Sequence, residues 1–102
     1  MEQFTMERNG SQMTVHISQE LDHHIAAQVS RMVDMQIEKG SIRTLVFDFS
    51  GITFMDSSGI GMVMGRHRKM NFLGGCTFVT GIGKNVDRIF QMSGLYRIIP
   101  KY

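Results

Sequence analysis

The sequence predicts one α/β domain, in which a mixed β-sheet of about five strands is covered by three to four helices. The first observation is that polar and apolar residues alternate near the N-terminus, and that helical spacing follows. The second is that turn and cap residues divide the chain into the order ββαβαβαβ, which builds a mixed sheet through right-handed crossovers. Because the chain has 102 residues, we expect residues 1–102 to form a single domain.

The N-terminal segment is expected to form a β-hairpin. Strands over 3–8 and 12–18 follow from their alternating apolar residues. The dipeptide Asn9-Gly10 between them favours a tight turn. These features predict two antiparallel strands at the start of the sheet.

The first helix is predicted from about residue 23 to residue 39, where apolar residues recur every three or four positions. Asp22 is a suitable N-cap for this helix, and Gly40 is suited to a left-handed C-terminal stop. Residues 42–49 are strongly apolar and predict a central strand. We expect residues 50–55 to form a loop that leads into the second helix.

The second half of the chain is predicted to contain two helices and two strands. The second helix should begin after Asp56 and end near residue 71. A strand is expected over 76–80, where Cys76 should be buried. A third helix is expected over 85–92, and a short last strand over 96–99. The glycine-rich stretch 81–84 is interpreted as the turn before the third helix, since it lacks the spacing of a phosphate loop.

The charge distribution gives little support for nucleic-acid or membrane binding. The net charge is +2, with an acidic first half and a basic second half. The densest basic run is 66–69, and three fixed charges without interleaved aromatic residues do not favour nucleic acid. No apolar run approaches the ~18 residues that would span a bilayer. With a single cysteine and no signal-peptide pattern, the composition favours the cytoplasm.

The stretch Asp56-Ser57-Ser58-Gly59 is the most informative motif, because it stands at the predicted start of the second helix. Asp56 is interpreted as a helix cap. A serine in the first helical turn faces solvent and the positive end of the helix dipole, which favours a phosphate. The motif therefore predicts a reversible phosphorylation site, and this reasoning alone does not choose between Ser57 and Ser58.

Three glycines lie within the second helix, and each costs about 1 kcal/mol relative to alanine. Their spacing does not fit a dinucleotide-binding turn. On a helical wheel, Gly61 and Gly65 lie together with Arg68 on a face that is nearly free of side chains and adjacent to Ser57. Close approach of a partner to this bare face would explain them. A different face of the helix is predicted to pack into the core and comprises Ile60, Val63, Met64 and His67.

The serine and histidine residues could also suggest a serine hydrolase or a metal site. A serine hydrolase would need a histidine near Ser57, but His67 lies ten residues along the same helix, about 15 Å away. His23 or His24 could approach only if the two helix N-termini lie side by side. A metal site is not expected, because no third ligand joins the histidines. The sequence therefore predicts neither catalytic residues nor a cofactor.

The chain resembles the anti-sigma factor antagonists, which are bacterial proteins with a STAS domain. The resemblance spans essentially the whole chain, and it is nearest to the antagonists of the sporulation sigma factor F system. Residues 20–24 and 90–95 resemble the family's acidic loop and last-helix motif. The phosphorylation motif is matched by the residues Phe54, Met55, Asp56, Ser57, Ser58, Gly59, Ile60 and Gly61.

This resemblance implies that Ser57 is the phosphoacceptor. It implies binding to an anti-sigma factor that is also an ATP- and Mg²⁺-dependent serine/threonine kinase, and resetting by a serine phosphatase. The residues expected to contact the partner are Asp22, Asp56, Ser58, Gly59, Gly61 and Gly65. Control of general stress or biofilm formation by a related partner-switching circuit is the alternative.

The chain departs from the family pattern at two positions near the first helix. Gln19 stands where the family usually has glycine, so the loop before Glu20 could turn differently. Ile25 replaces a common threonine, which leaves capping to Asp22 or to water.

Overall fold

The structure, a computed structural model that describes residues 3–100, contains one four-stranded sheet in the order β1-β2-β3-β4. β1 and β2 are antiparallel, whereas β2 with β3 and β3 with β4 are parallel. The predicted hairpin and mixed α/β sheet are therefore confirmed. The strands are β1 (Phe4–Asn9), β2 (Gln12–Leu21), β3 (Thr44–Met55) and β4 (Cys76–Thr80).

Three α-helices connect or follow these strands, close to the predicted positions. They are α1 (His23–Glu38), α2 (Ser57–Phe72) and α3 (Lys84–Ser93). Gly40 has the expected positive φ, at 83°, just beyond α1. Within the described residues, α3 is followed by a short 3-10 helix, Leu95–Arg97.

The predicted last strand over 96–99 is wrong, because that segment turns into the 3-10 helix and adds no strand to the sheet. Gly94 adopts a left-handed conformation, at φ 75°, and redirects the chain there. Leu95 and Ile99 then point into the core and are almost fully buried. The apolar residues of this segment serve packing rather than strand pairing, so the described sheet has four strands instead of about five.

The predicted loop over 50–55 is also wrong, because β3 continues through it and pairs with β2 as far as Met55. Two irregularities in the register accompany this extension, and they fall near Ser18 and Gln19. Gly51 permits the close approach of the strands, since a Cβ atom there would lie 3.0 Å from the Cβ of Ser18. The extension carries the start of α2 to the end of β2.

The core lies between the helices and one face of the sheet, as alternation along the strands predicts. Phe90 of α3 packs edge-on against Phe49, with ring centroids 5.5 Å apart. The buried residues that this face of the sheet contributes include Met13, Val15, Ile17, Leu45, Phe47, Phe49 and Val79.

The core face of α2 agrees only in part with the prediction. Val63 is fully buried, and Ile60 and Met64 are partly buried against the core. Met62 is also buried, although the helical wheel did not place it there. Cys76 is exposed rather than buried, because it lies at the first position of β4, on the face away from the helices.

The two central helices are joined by charged residues along their length. Asp34 of α1 lies 2.8 Å from Nε of Arg66 and 3.0 Å from Nζ of Lys69. Arg66 and Asp34 are largely shielded from solvent, so these contacts are screened less than ordinary surface ion pairs. They help to hold α1 and α2 beside each other.

The opposite face of the sheet carries a chain of charged side chains across three strands. His16 lies between Glu7, 2.9 Å from Nε2, and Asp48, 2.7 Å from Nδ1. Hydrogen bonds to Glu7 and then Asp48 raise the pKa of His16. Burial opposes ionisation of Asp48, but the backbone N–H of Ser50 and the His16 ring outweigh it and lower the pKa of Asp48.

Candidate functional site

The N-termini of α1 and α2 lie next to each other at one edge of the sheet. Leu21 and Met55, the last residues of β2 and β3, are paired in the parallel register. The backbone N–H of Asp56 donates to the carbonyl of Leu21 at 3.2 Å. Asp22 and Asp56 therefore follow neighbouring strand ends, so the structure brings the Asp22 loop close to Ser57, as the topology predicts.

Both helices begin at an aspartate cap with nearly identical extended backbone geometry. Oδ1 of Asp22 accepts the backbone N–H of Ile25 at 3.0 Å. Oδ1 of Asp56 accepts the backbone N–H of Ser58 at 2.8 Å. The N–H of Ile25, and after it that of His24, lowers the pKa of Asp22. The predicted capping roles are confirmed, and Asp22 caps α1 without the threonine that Ile25 replaces.

The two serines of the motif have different surroundings. Ser57 is the first residue of α2 and is exposed. Ser58 is half-buried, and its backbone N–H is engaged by Asp56. A hydroxyl at position 57 is therefore the more accessible to a modifying enzyme, which is a distinction that sequence reasoning did not supply.

The three glycines of α2 fall into two groups. Gly59 is buried, and a Cβ atom there would lie 2.5 Å from Sδ of Met55 and 3.0 Å from Cδ2 of Leu21. Its lack of a side chain is thus needed for packing of the helix on the strand ends. At Gly61 and Gly65, in contrast, a Cβ atom would have no neighbour within 4 Å. Their absence of side chains has no packing explanation.

The outward side of α2 forms a bare surface that starts at Ser57. The glycine face, defined here as Gly61 and Gly65, follows Ser57 at intervals of four residues, so all three lie on one side of the helix. Gly61 is exposed and Gly65 is half-buried. Backbone of another protein could approach this surface more closely than it could approach an ordinary helix.

The remaining candidates from the sequence are a histidine pair and a glycine-rich turn. His23 and His24 are exposed and form the first turn of α1, next to the start of α2, but within residues 3–100 neither forms a hydrogen bond with Ser57. Gly83 is the N-cap residue of α3, which agrees with a turn over 81–84. Within residues 3–100, no group of three or more metal-binding side chains comes together, and no helix is long and apolar enough to cross a membrane.

The structure contains a cleft beside Ser57 that the sequence did not predict. It encloses about 430 Å³ between α2 and α3. A helical wheel of α3 could have indicated it, because Met92 lies off the side that buries Val86 and Phe90. The residues that line the cleft are Ser57, Ile60, Ile89, Met92 and Ser93.

Comparison with known proteins agrees with the fold and with the family that the sequence resembles. The family model described as the STAS domain matches residues 3–102. A curated protein of Paenibacillus polymyxa, the anti-sigma F factor antagonist, is 36% identical over 100 residues. That alignment covers 98% of this chain and 86% of the relative.

Two solved structures of a similar protein are also informative. The anti-sigma factor antagonist SpoIIAA in its unphosphorylated form is 30% identical, with a TM-score of 0.78 over 87% of this chain and 82% of that one. The Bacillus cell fate determinant SpoIIAA in its phosphorylated form is 30% identical, with a TM-score of 0.81 over 97% of this chain and 90% of that one. This chain is therefore similar in fold to both forms.

Proposed function

This chain belongs to the STAS domain family, and we propose that it acts there as an anti-sigma factor antagonist in a partner-switching circuit. In its unphosphorylated form it binds an anti-sigma factor, which then releases a sigma factor. That anti-sigma factor is also the serine/threonine kinase that phosphorylates Ser57 and so ends the interaction. A serine phosphatase restores the unmodified form. ATP and Mg²⁺ belong to the kinase, so this chain is a substrate and ligand, acting in the cytoplasm.

The observation that carries this proposal is the position of Ser57. Its side chain is exposed at the first residue of a capped helix, and it adjoins the glycine face and the Asp22 loop. A partner that binds Ser57 in its active site would therefore contact the glycine face of α2 on one side and the N-terminus of α1 on the other. We propose that this partner contacts Asp22, Asp56, Ser58, Gly61 and Gly65. Gly59, being buried, contributes by packing.

Elementary electrostatics explains how modification could switch binding. A phosphoryl group adds a charge of about −1.5 to −2 at pH 7. At a helix N-terminus that charge is tolerated by the fold. In a tight interface it adds bulk and charge, so a partner that fits the unmodified surface is excluded by steric overlap and by like-charge repulsion. A loss of about 4 kcal/mol in binding corresponds to roughly a thousandfold weaker affinity.

The comparisons support a switch of this type. The similar protein SpoIIAA has been solved in phosphorylated and unphosphorylated forms, and this chain resembles both. The resemblance extends to the anti-sigma F factor antagonist of Paenibacillus polymyxa, which favours a sporulation circuit. A related circuit, such as general stress or biofilm control, is the alternative. Adding this chain to each candidate pair of sigma factor and anti-sigma factor tests which sigma factor is released.

Phosphopeptide mapping tests the assignment of the phosphoacceptor. The chain is incubated with its cognate kinase and Mg-ATP, and the modified residue is located by mass spectrometry. We expect phosphate on Ser57 of the wild type. The Ser58→Ala variant should be phosphorylated to the same extent, whereas the Ser57→Ala variant should not be phosphorylated. Phosphate on Ser58 or Thr53 in place of Ser57 would contradict the assignment.

A charge-mimicking variant tests whether modification acts on binding rather than on folding. Ser57→Asp should keep the circular dichroism spectrum and melting temperature of the wild type, because acidic residues are favourable at a helix N-terminus. The same variant should bind the kinase about a thousandfold more weakly. Ser57→Ala should bind like the wild type. A Ser57→Asp variant that melts far below the wild type would show that the switch works through unfolding.

A further inference from the structure

Met92 is the one large residue of the segment 90–95 whose position the fold does not explain. Phe90 and Leu95 are buried in the core, and Gly94 provides the left-handed turn. The hydroxyl of Ser93 donates to the carbonyl of Phe90 at 2.9 Å. Met92, in contrast, is 80% exposed. A single exposed apolar residue is ordinary on a protein surface, so the importance of Met92 depends on what lies beside it.

Met92 stands at the edge of the cleft that also includes Ser57. Ile60 of α2 and Ile89 of α3 form its apolar walls, and both are partly buried against the core. The cleft is therefore an apolar recess whose rim carries the proposed phosphoacceptor. Methionine is a flexible and polarizable side chain that is frequent on adaptable binding surfaces.

The exposed side of α3 next to this cleft is positively charged. Lys84 and Arg88 precede Met92 by eight and four residues, so the three side chains lie on the same side of the helix. Both cations are exposed, and neither forms an ion pair with another residue in 3–100. Asp87, the acidic residue of α3, instead accepts hydrogen bonds from Tyr96 and Gln91, each at 2.7 Å.

We propose that this cleft binds an apolar side chain from an acidic segment of the anti-sigma factor. The inference rests on the proposed function, and it extends the partner's contact surface from α2 to α3. Two features argue for this occupant. The unpaired cations of α3 are complementary to acidic residues. The cleft is also continuous with the proposed interface, because Ser57 belongs to both.

This arrangement would make a single phosphate act on two surfaces at once. A phosphoryl group on Ser57 stands on the rim of the cleft, where it hydrates the mouth of an apolar recess. The same negative charge repels the acidic segment that Lys84 and Arg88 attract. Binding at α2 and binding at α3 are then lost together.

Isothermal titration with the purified, cognate anti-sigma factor kinase tests the cleft. Met92→Glu should bind at least about tenfold more weakly than the wild type, since it places a charge at the apolar rim. Met35→Glu is the matched control, because Met35 is an exposed methionine on α1. It should bind within about twofold of the wild type. Equal affinities of Met92→Glu and the wild type would overturn the inference, whereas a wild type that does not bind at all would overturn the proposed function instead.

Salt dependence tests the charge of the occupant. The double variant Lys84→Gln/Arg88→Gln should bind about fivefold more weakly than the wild type at low ionic strength, and the difference should shrink at high salt. Circular dichroism establishes that each variant is folded. A double variant with the affinity and salt dependence of the wild type would show that the segment bound at the cleft is not acidic.

Discussion

Helices α1 and α2 have the same length and the same start, but different compositions. Each has 16 residues, each follows an aspartate cap, and the two begin side by side. Only α2 contains glycine, at three positions, and each interior glycine costs about 1 kcal/mol relative to alanine. The helix that carries the proposed switch is therefore the one with the weaker intrinsic tendency to form.

The glycines of α2 differ from the residues at the same positions of α1 for two different physical reasons. The third residue is Ile25 in α1, which fills the core, and Gly59 in α2, which leaves room for Met55. The fifth residue is Ala27 in α1 and Gly61 in α2, and both are exposed. The fold thus explains Gly59 but not Gly61. We infer that the outer side of α2 is shaped by contact with a partner, whereas α1 beyond its cap is not.

The largest effect is expected from filling the glycine face. Gly61→Leu should leave the chain folded, because leucine favours a helix and its Cβ would have no close neighbour. Binding to the anti-sigma factor kinase should weaken at least about a hundredfold, since the partner can no longer approach the backbone. Calorimetric titration measures this loss. Ala27→Leu, the equivalent change in α1, should have a much smaller effect; if both changes block binding, the contact surface is not confined to α2.

Filling the buried glycine should have the opposite result. Gly59→Leu forces a side chain against Met55 and Leu21, and it should lower the free energy of unfolding by about 2–3 kcal/mol. Urea denaturation measures this difference. Gly65→Ala provides the control, because it should raise the free energy of unfolding by about 1 kcal/mol. An unchanged stability of Gly59→Leu would remove the distinction between the two groups of glycines.

The smallest effect, and the most similar in the two helices, is expected at the caps. Asp22→Ala and Asp56→Ala should each lower the melting temperature by roughly 4–8 °C, because each removes a bond to a backbone N–H. The asparagine variants should lose less, since asparagine is also a good cap. Clearly unequal losses would mean that the caps are not equivalent.

The cap of α1 should also depend on pH. The pKa of Asp22 is lowered in the folded chain from its usual value of 3.8. Its ionised form therefore stabilises the fold above pH 3.8, and that contribution is lost as the pH falls through the lower, folded value. The difference in melting temperature between the wild type and Asp22→Asn should accordingly shrink in acid. A difference that does not change with pH would contradict an ionic contribution.

Much of this fold could be predicted from local patterns. Alternation, helical spacing and cap residues identified the four strands and three helices, and they placed Asp22 and Asp56 correctly. The last strand could not be predicted, because residues 96–99 are apolar enough for a strand and only the packing of Leu95 and Ile99 decides their conformation. The end of β3 was missed for a similar reason, since its pairing with β2 depends on the close approach at Gly51.

The candidate site, like the fold, could be predicted from the sequence only in part. The motif around Ser57 was evident from residue types, and the adjacency of Asp22 followed from parallel strand order. The buried position of Gly59 and the cleft at Met92 depend on contacts between segments distant in the chain, which spacing along one helix cannot reveal. Sequence patterns describe the surfaces that one element presents, whereas the spaces between elements require the assembled fold.

Gln19 is a position at which a substitution could raise the stability of the folded chain. Its φ of 67° lies in the left-handed region, so β2 turns there as it would with glycine, although a side chain is present. Such a conformation costs about 1–2 kcal/mol for a residue with a side chain. Glycine would relieve that strain, and the greater freedom of the unfolded chain would offset about half of the gain. A thermostable variant could therefore begin at an exposed residue near the end of β2, without alteration of the core.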